Sequence, residues 1–150
     1  MAPTGPTDRY IQIKNISQDR QDLSRFTVVV ASSPSKSFDV KIPSGTILQS
    51  GEVYVIANPQ GCSGPVVHQF LTGGVQIPDR FFIMLLDPSG FLINWVSNDA
   101  SWGADPAPVC PDALALIRRS NTDDNAADFY CGPRAPGLPG PVARPGRPTP

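Results

Sequence analysis

The 150-residue sequence contains one histidine, His68, and one glutamate, Glu52. A glutamate pair for general acid and base work is therefore excluded, because that chemistry needs two carboxylates across one cleft. Aspartates are present, but nothing in their spacing places two of them in a cleft. His68 has no Gly-x-Ser-x-Gly or cysteine motif to activate, so it reads as an ordinary loop or strand residue rather than a general base. No Cys-x-x-Cys occurs among the three cysteines, and one histidine cannot complete a zinc set of familiar spacing. Gly73 and Gly74 lack the following pattern and helix of a phosphate cradle. The expectation is a chain that is not an enzyme, with no catalytic residue, metal, cofactor or small-molecule substrate.

Long apolar runs are missing too. The longest, residues 81–86, has the length of a strand and falls far short of the roughly 18 residues of a membrane span. Residues 1–10 hold no apolar core of a secretory leader. Excess charge of either sign is lacking: the net charge is −1, which gives no reason to expect nucleic acid or an anionic membrane as partner. The charge is unevenly placed, however. No acid follows Asp128, while Arg134, Arg144 and Arg147 remain. These arginines are either solvated or, in the sharper reading, docking groups for a partner.

Proline and glycine are abundant, at 18 and 13 residues, a density that long helices do not tolerate and short strands joined by turns do. Strand candidates recur along the chain, and no segment has a convincing helical period. Residues 10–16 alternate apolar and polar, 27–31 form a β-branched run, and Phe38, Val40 and Ile42 alternate with Asp39 and Lys41. Residues 46–48 form a brief strand, 53–57 a central one and 66–71 an edge strand. Residues 81–87 and 91–96 flank Pro88-Ser89-Gly90, which reads as a hairpin. Residues 114–118 follow as a further strand. This is the pattern of a β-sandwich over residues 10–131, with a flexible arm at 1–9. A Pro/Gly/Arg-rich extended tail at 132–150 has no core of its own.

Cys110 and Cys131 flank one late segment, while Cys62 sits in a Gly/Pro-rich loop. A Cys110–Cys131 disulfide would close a loop of about 20 residues and stabilise by roughly 3 kcal/mol in the chain-entropy model. The alternative is three reduced thiols. Asn15-Ile16-Ser17 matches a glycosylation sequon, a triplet that chance often produces. Trp95, in a strand, is expected to face the core. Trp102, in a loop, is either a lid over one end of the sandwich or an exposed binding aromatic.

Several pieces of sequence, in order, resemble the lamin-tail domain family. Tyr10-Ile11-Gln12-Ile13-Lys14-Asn15 followed by Leu23-Ser24-Arg25-Phe26 is similar to its opening. Phe38-Asp39-Val40-Lys41-Ile42-Pro43 with Gly45, Leu48 and Gly51 is similar to its strand–proline–glycine segment. Leu86-Asp87-Pro88-Ser89-Gly90 looks like its late hairpin. Ala115-Leu116-Ile117-Arg118 with the stretch from Thr122 to Phe129 resembles the C-terminal segment of bacterial members. The match covers about residues 10–137. Gln12 stands where the family commonly has an acid, and neither the Cys110–Cys131 pair nor the tail is a general family feature.

The resemblance implies an all-β, immunoglobulin-like sandwich without catalysis of its own. It also implies that Asp123, Asp124, Asn125 and Asp128 form a structural turn before the last strand rather than a calcium site. No coiled-coil heptads are present, which excludes a filament-forming lamin. The expected function is a structural module for protein–protein contacts, extracellular, surface-bound or particle-associated. It would be an accessory or decorating subunit of a filament, surface layer or viral capsid exterior. The alternative is a substrate-targeting or adhesion domain of a secreted hydrolase system.

Overall fold

The computed structural model describes residues 9–59, 67–102, 105–111 and 113–135. Within them the chain is all-β: β1 (Tyr10–Lys14), β2 (Gln21–Asp22), β3 (Thr27–Ser33), β4 (Lys36–Lys41), β5 (Ile47–Leu48), β6 (Val53–Ala57), β7 (Gln69–Phe70), β8 (Phe82–Leu86), β9 (Leu92–Ser97), β10 (Leu114–Arg118) and β11 (Phe129–Pro133). A 3₁₀ turn at Ala100–Trp102 and one helical turn, α1 (Asn125–Asp128), complete the list. Among the described residues no helix is long and apolar enough to cross a membrane.

Four strands form a sheet in the order β4-β3-β8-β9, and three form another in the order β1-β6-β7. All neighbours are antiparallel except β6 and β7. Alternation along the strands sends Val28, Val30, Val40 and Ile83 from the first sheet, and Ile11, Ile13, Tyr54 and Ile56 from the second, into one core. The short β2–β5 pair closes that core with Leu23 and Leu48. β6 is buried at every position, which explains why it reads as an unbroken apolar run.

Turn chemistry sets the β8–β9 hairpin. The Asp87 carboxylate accepts from the Ser89 and Phe91 amides at 2.9 Å each, and Gly90 takes the φ of +90° that the turn requires. At the end of β1, Asn15 is buried. Its Nδ2 donates to the Asp19 and Leu48 carbonyls, and its Oδ1 accepts from Ser17. This asparagine ties the first strand to the β2–β5 region, and in the folded chain it leaves no room for a glycan.

The structure moves several boundaries. Of the edge strand expected at 66–71, the described residues form β7, and β2 is a short strand that no sequence pattern announced. β11 runs through Gly132 and Pro133, two residues past the expected start of the tail. Leu114 pairs with Pro133 and Ala115 with Gly132. Gly132 is a packing residue: a Cβ there would lie 2.8 Å from Ile117 Cδ1. Trp95 faces away from the core. It pairs with Met84 on the sheet face opposite Ile83 and Leu85, and it stacks on Phe82 with ring centroids 5.2 Å apart. That second face is itself apolar, so strand alternation in the sequence could not say which face held the core.

Candidate interaction surface

The potential site residues are best judged by what holds each one. His68 lies just before β7. Its Nδ1 accepts the Val55 amide at 2.9 Å, its own amide donates to the Val55 carbonyl, and its ring stacks on Tyr54. It thus extends the edge of β6, and the ring nitrogen a general base would use is occupied by main chain. Burial pushes the Tyr54 phenol above its ordinary pKa, and its hydroxyl donates to Gln69 Oε1 at 2.6 Å.

The acidic stretch before β11 is structural throughout its described contacts. Asp124 caps α1 by accepting from the Ala126 and Ala127 amides. Asp128, 1% exposed, accepts from the Ser120 hydroxyl and from the Thr122 amide and hydroxyl at 2.7–2.8 Å. Burial acts to raise its pKa, but the Thr122 and Ser120 hydrogen bonds and the Arg118 charge outweigh it and hold the carboxyl below the usual value. Among the described residues no group of three or more His, Cys, Asp or Glu side chains is placed to hold a metal ion.

Arg118 is the residue sequence reasoning missed. Its guanidinium donates to the Ser120 carbonyl, Asn121 Oδ1, Asn94 Oδ1 and the Trp95 carbonyl at 3.0–3.2 Å, and it lies 4.4 Å over the Phe129 ring. Asp128 stands 3.8 Å away. Burial lowers the pKa of Arg118, and the nearby Asp128 and Asp123 charges oppose that shift. These contacts fasten the β10–β11 hairpin to β9.

The named candidates divide as follows. A disulfide joins Cys110 to Cys131, with Cα atoms 5.6 Å apart, and pins the segment before β10 to β11. Trp102 is half-buried and tilted against Phe82 at 5.0 Å, so it covers the outer face of the four-stranded sheet. Its buried Nε1 has no acceptor among the described residues. Arg134 lies 5.0 Å over the Tyr10 ring, and the Tyr10 hydroxyl accepts the Ala135 amide at 3.4 Å. Cys62, Arg144, Arg147, residues 1–8 of the expected arm and residues 136–150 of the expected tail lie outside the described residues.

One surface feature was not singled out in the sequence. Phe91, Leu92 and Ile93, at the start of β9, are 71%, 52% and 52% exposed. The hairpin pattern supplies their turn but does not say which side of the strand they face. No known protein-family model matches this sequence, and no curated protein matches it.

Proposed function

We propose that the chain is a non-catalytic interaction module of the lamin-tail type, folded as an immunoglobulin-like sandwich. In this reading it is an accessory or decorating subunit of a larger protein assembly. The observation that carries it is the apolar tip of the β8–β9 hairpin. Single exposed apolar residues are ordinary on a protein surface, and three in succession led by a phenylalanine support a contact role for this tip. The Asp87 and Gly90 turn fixes the tip, so docking would cost little ordering entropy. A core shared by two sheets supports the sandwich. The ordered sequence pieces support the family.

The test is the double variant Phe91→Ser/Ile93→Ser. Stability should change by less than about 1 kcal/mol, since neither side chain belongs to the core. Co-sedimentation with the particles or cell envelope of the protein's source should be lost. Attachment at the wild-type level would overturn the reading. So would reproducible turnover of ester, phosphate, peptide or glycoside substrates that disappears in His68→Ala.

A further inference from the structure

The four-stranded sheet has two edges, and they are treated differently. On β9 the outward main-chain groups of Trp95 and Ser97 are occupied. The Trp95 amide donates to Asn94 Oδ1, the Trp95 carbonyl accepts from Arg118, the Ser97 carbonyl accepts from the Ala107 amide and the Ser97 amide donates to Asn125 Oδ1. A bulge between Leu85 and Leu86 interrupts the ladder as well. These devices blunt an edge against further strand pairing.

β4 is covered at one outward group only. The Ile42 amide donates to the Phe26 carbonyl. Alternation therefore turns the main-chain groups of Val40 and Phe38 toward β3, and those of Ser37, Asp39 and Lys41 outward. The Lys41 carbonyl accepts from Gln69 Nε2 at 2.9 Å. The outward amides and carbonyls of Ser37 and Asp39 have no partner among the described residues. All three side chains are exposed on the sheet face away from the core, so their charges do not lie in the path of an approaching strand.

The geometry points to a second copy of this chain as the occupant of this edge. A two-fold axis perpendicular to the sheet brings two β4 strands together antiparallel, as a closed dimer requires. Outward residues must then face outward residues, which leaves few registers. Asp39 opposite Asp39 sets like charges together, and Ser37 opposite Asp39 leaves Lys41 unmatched. With the axis at Val40, Asp39 faces Lys41 of the second copy and Lys41 faces its Asp39, so the strand is complementary in charge to itself. Each of these residues then exchanges its outward main-chain bonds with the other copy. The Lys41 carbonyl has a second lone pair, so its bond from Gln69 survives. Phe70, 52% exposed, lines a surface groove together with Phe38, Asp39, Val40 and Lys41 of this edge.

The assignment does not depend on the hairpin tip. Sedimentation velocity on the full chain, with Cys62→Ser to keep interchain disulfides from counting, should show a dimer that grows with concentration. Asp39→Lys and Lys41→Asp should each weaken it by about tenfold or more through like charges in two symmetric pairs. Both variants should keep the wild-type circular dichroism spectrum, since the altered side chains face solvent. The double exchange Asp39→Lys/Lys41→Asp should restore the wild-type dimer, and Phe91→Ser/Ile93→Ser should leave it intact. A chain monomeric at every concentration would sink the proposal. So would a dimer indifferent to Asp39→Lys, a double exchange as weak as the single variants, or loss of the dimer in the hairpin-tip variant.

Discussion

Arg118 and Asp128 show how charge is carried inside a small β domain. Asp128 is buried, yet it keeps its negative charge because hydroxyl and amide donors from Ser120 and Thr122 surround it and Arg118 is close by. The folded state therefore holds the Asp128 proton less tightly than the unfolded chain does. The unfolded state binds more protons, so this part of the stability rises with pH. It is fully present above the unfolded value of about 3.9 and is lost as pH falls through the lower folded value. Asp128→Asn should cost about 3 kcal/mol at neutral pH, by leaving Arg118 and the surrounding donors poorly matched. Urea unfolding from pH 7 down to acid should show the gap between wild type and variant narrowing as the wild-type carboxyl protonates. A gap independent of pH would mean that the charge contributes nothing. The family resemblance made Asp128 part of a structural turn, but its pairing with Arg118 was not legible in the sequence. Arg118 finds its acceptors on β9, in the 120–121 turn and beside α1, and no local spacing announces such a set.

Strands were legible where two local rules agreed. The spans 53–57 and 114–118 match β6 and β10 because turn residues bound short apolar runs there, and the β8–β9 hairpin follows from Asp87, Pro88 and Gly90. β11 was harder. Cys131, Gly132 and Pro133 look like the start of a proline-rich tail, and only their pairing with β10 makes them a strand. Pro133 is tolerated because it ends the strand. The Cys110–Cys131 bond adds a covalent tie to a two-stranded element that is marginal by itself. Closing a loop of 21 residues should contribute about 3 kcal/mol. The double variant Cys110→Ser/Cys131→Ser should lose that amount in equilibrium unfolding. Amide exchange should quicken in β10 and β11 well before β3 and β6. Equal acceleration everywhere would show that the bond acts on the whole fold rather than on this hairpin.

At the scale of the molecule, the segment that follows β11 is tied to the first strand. Arg134 and Ala135 lie against Tyr10 of β1, so the last described residues close over the first strand after β11 has completed its pairing with β10. The sequence could not reveal this closure, because the contact links residues 125 positions apart. It shifts the point at which the C-terminal segment can be removed. A chain ending at Ala135 keeps every described strand, the disulfide and both Tyr10 contacts, and it sheds six prolines with Arg144 and Arg147. Its melting temperature should stay within about 2 °C of the full chain, while attachment to its assembly should weaken if those arginines dock a partner. A chain ending at Asp128 loses β11, the disulfide and the Phe129 ring under Arg118. It should lose more than about 3 kcal/mol, which for a domain of this size lowers the melting temperature by roughly 6–12 °C or more. Calorimetry on the two truncations beside the full chain separates the roles. If the chain ending at Ala135 melts as low as the one ending at Asp128, residues beyond 135 belong to the folded body. If it melts normally and attaches normally, Arg144 and Arg147 have no part in docking.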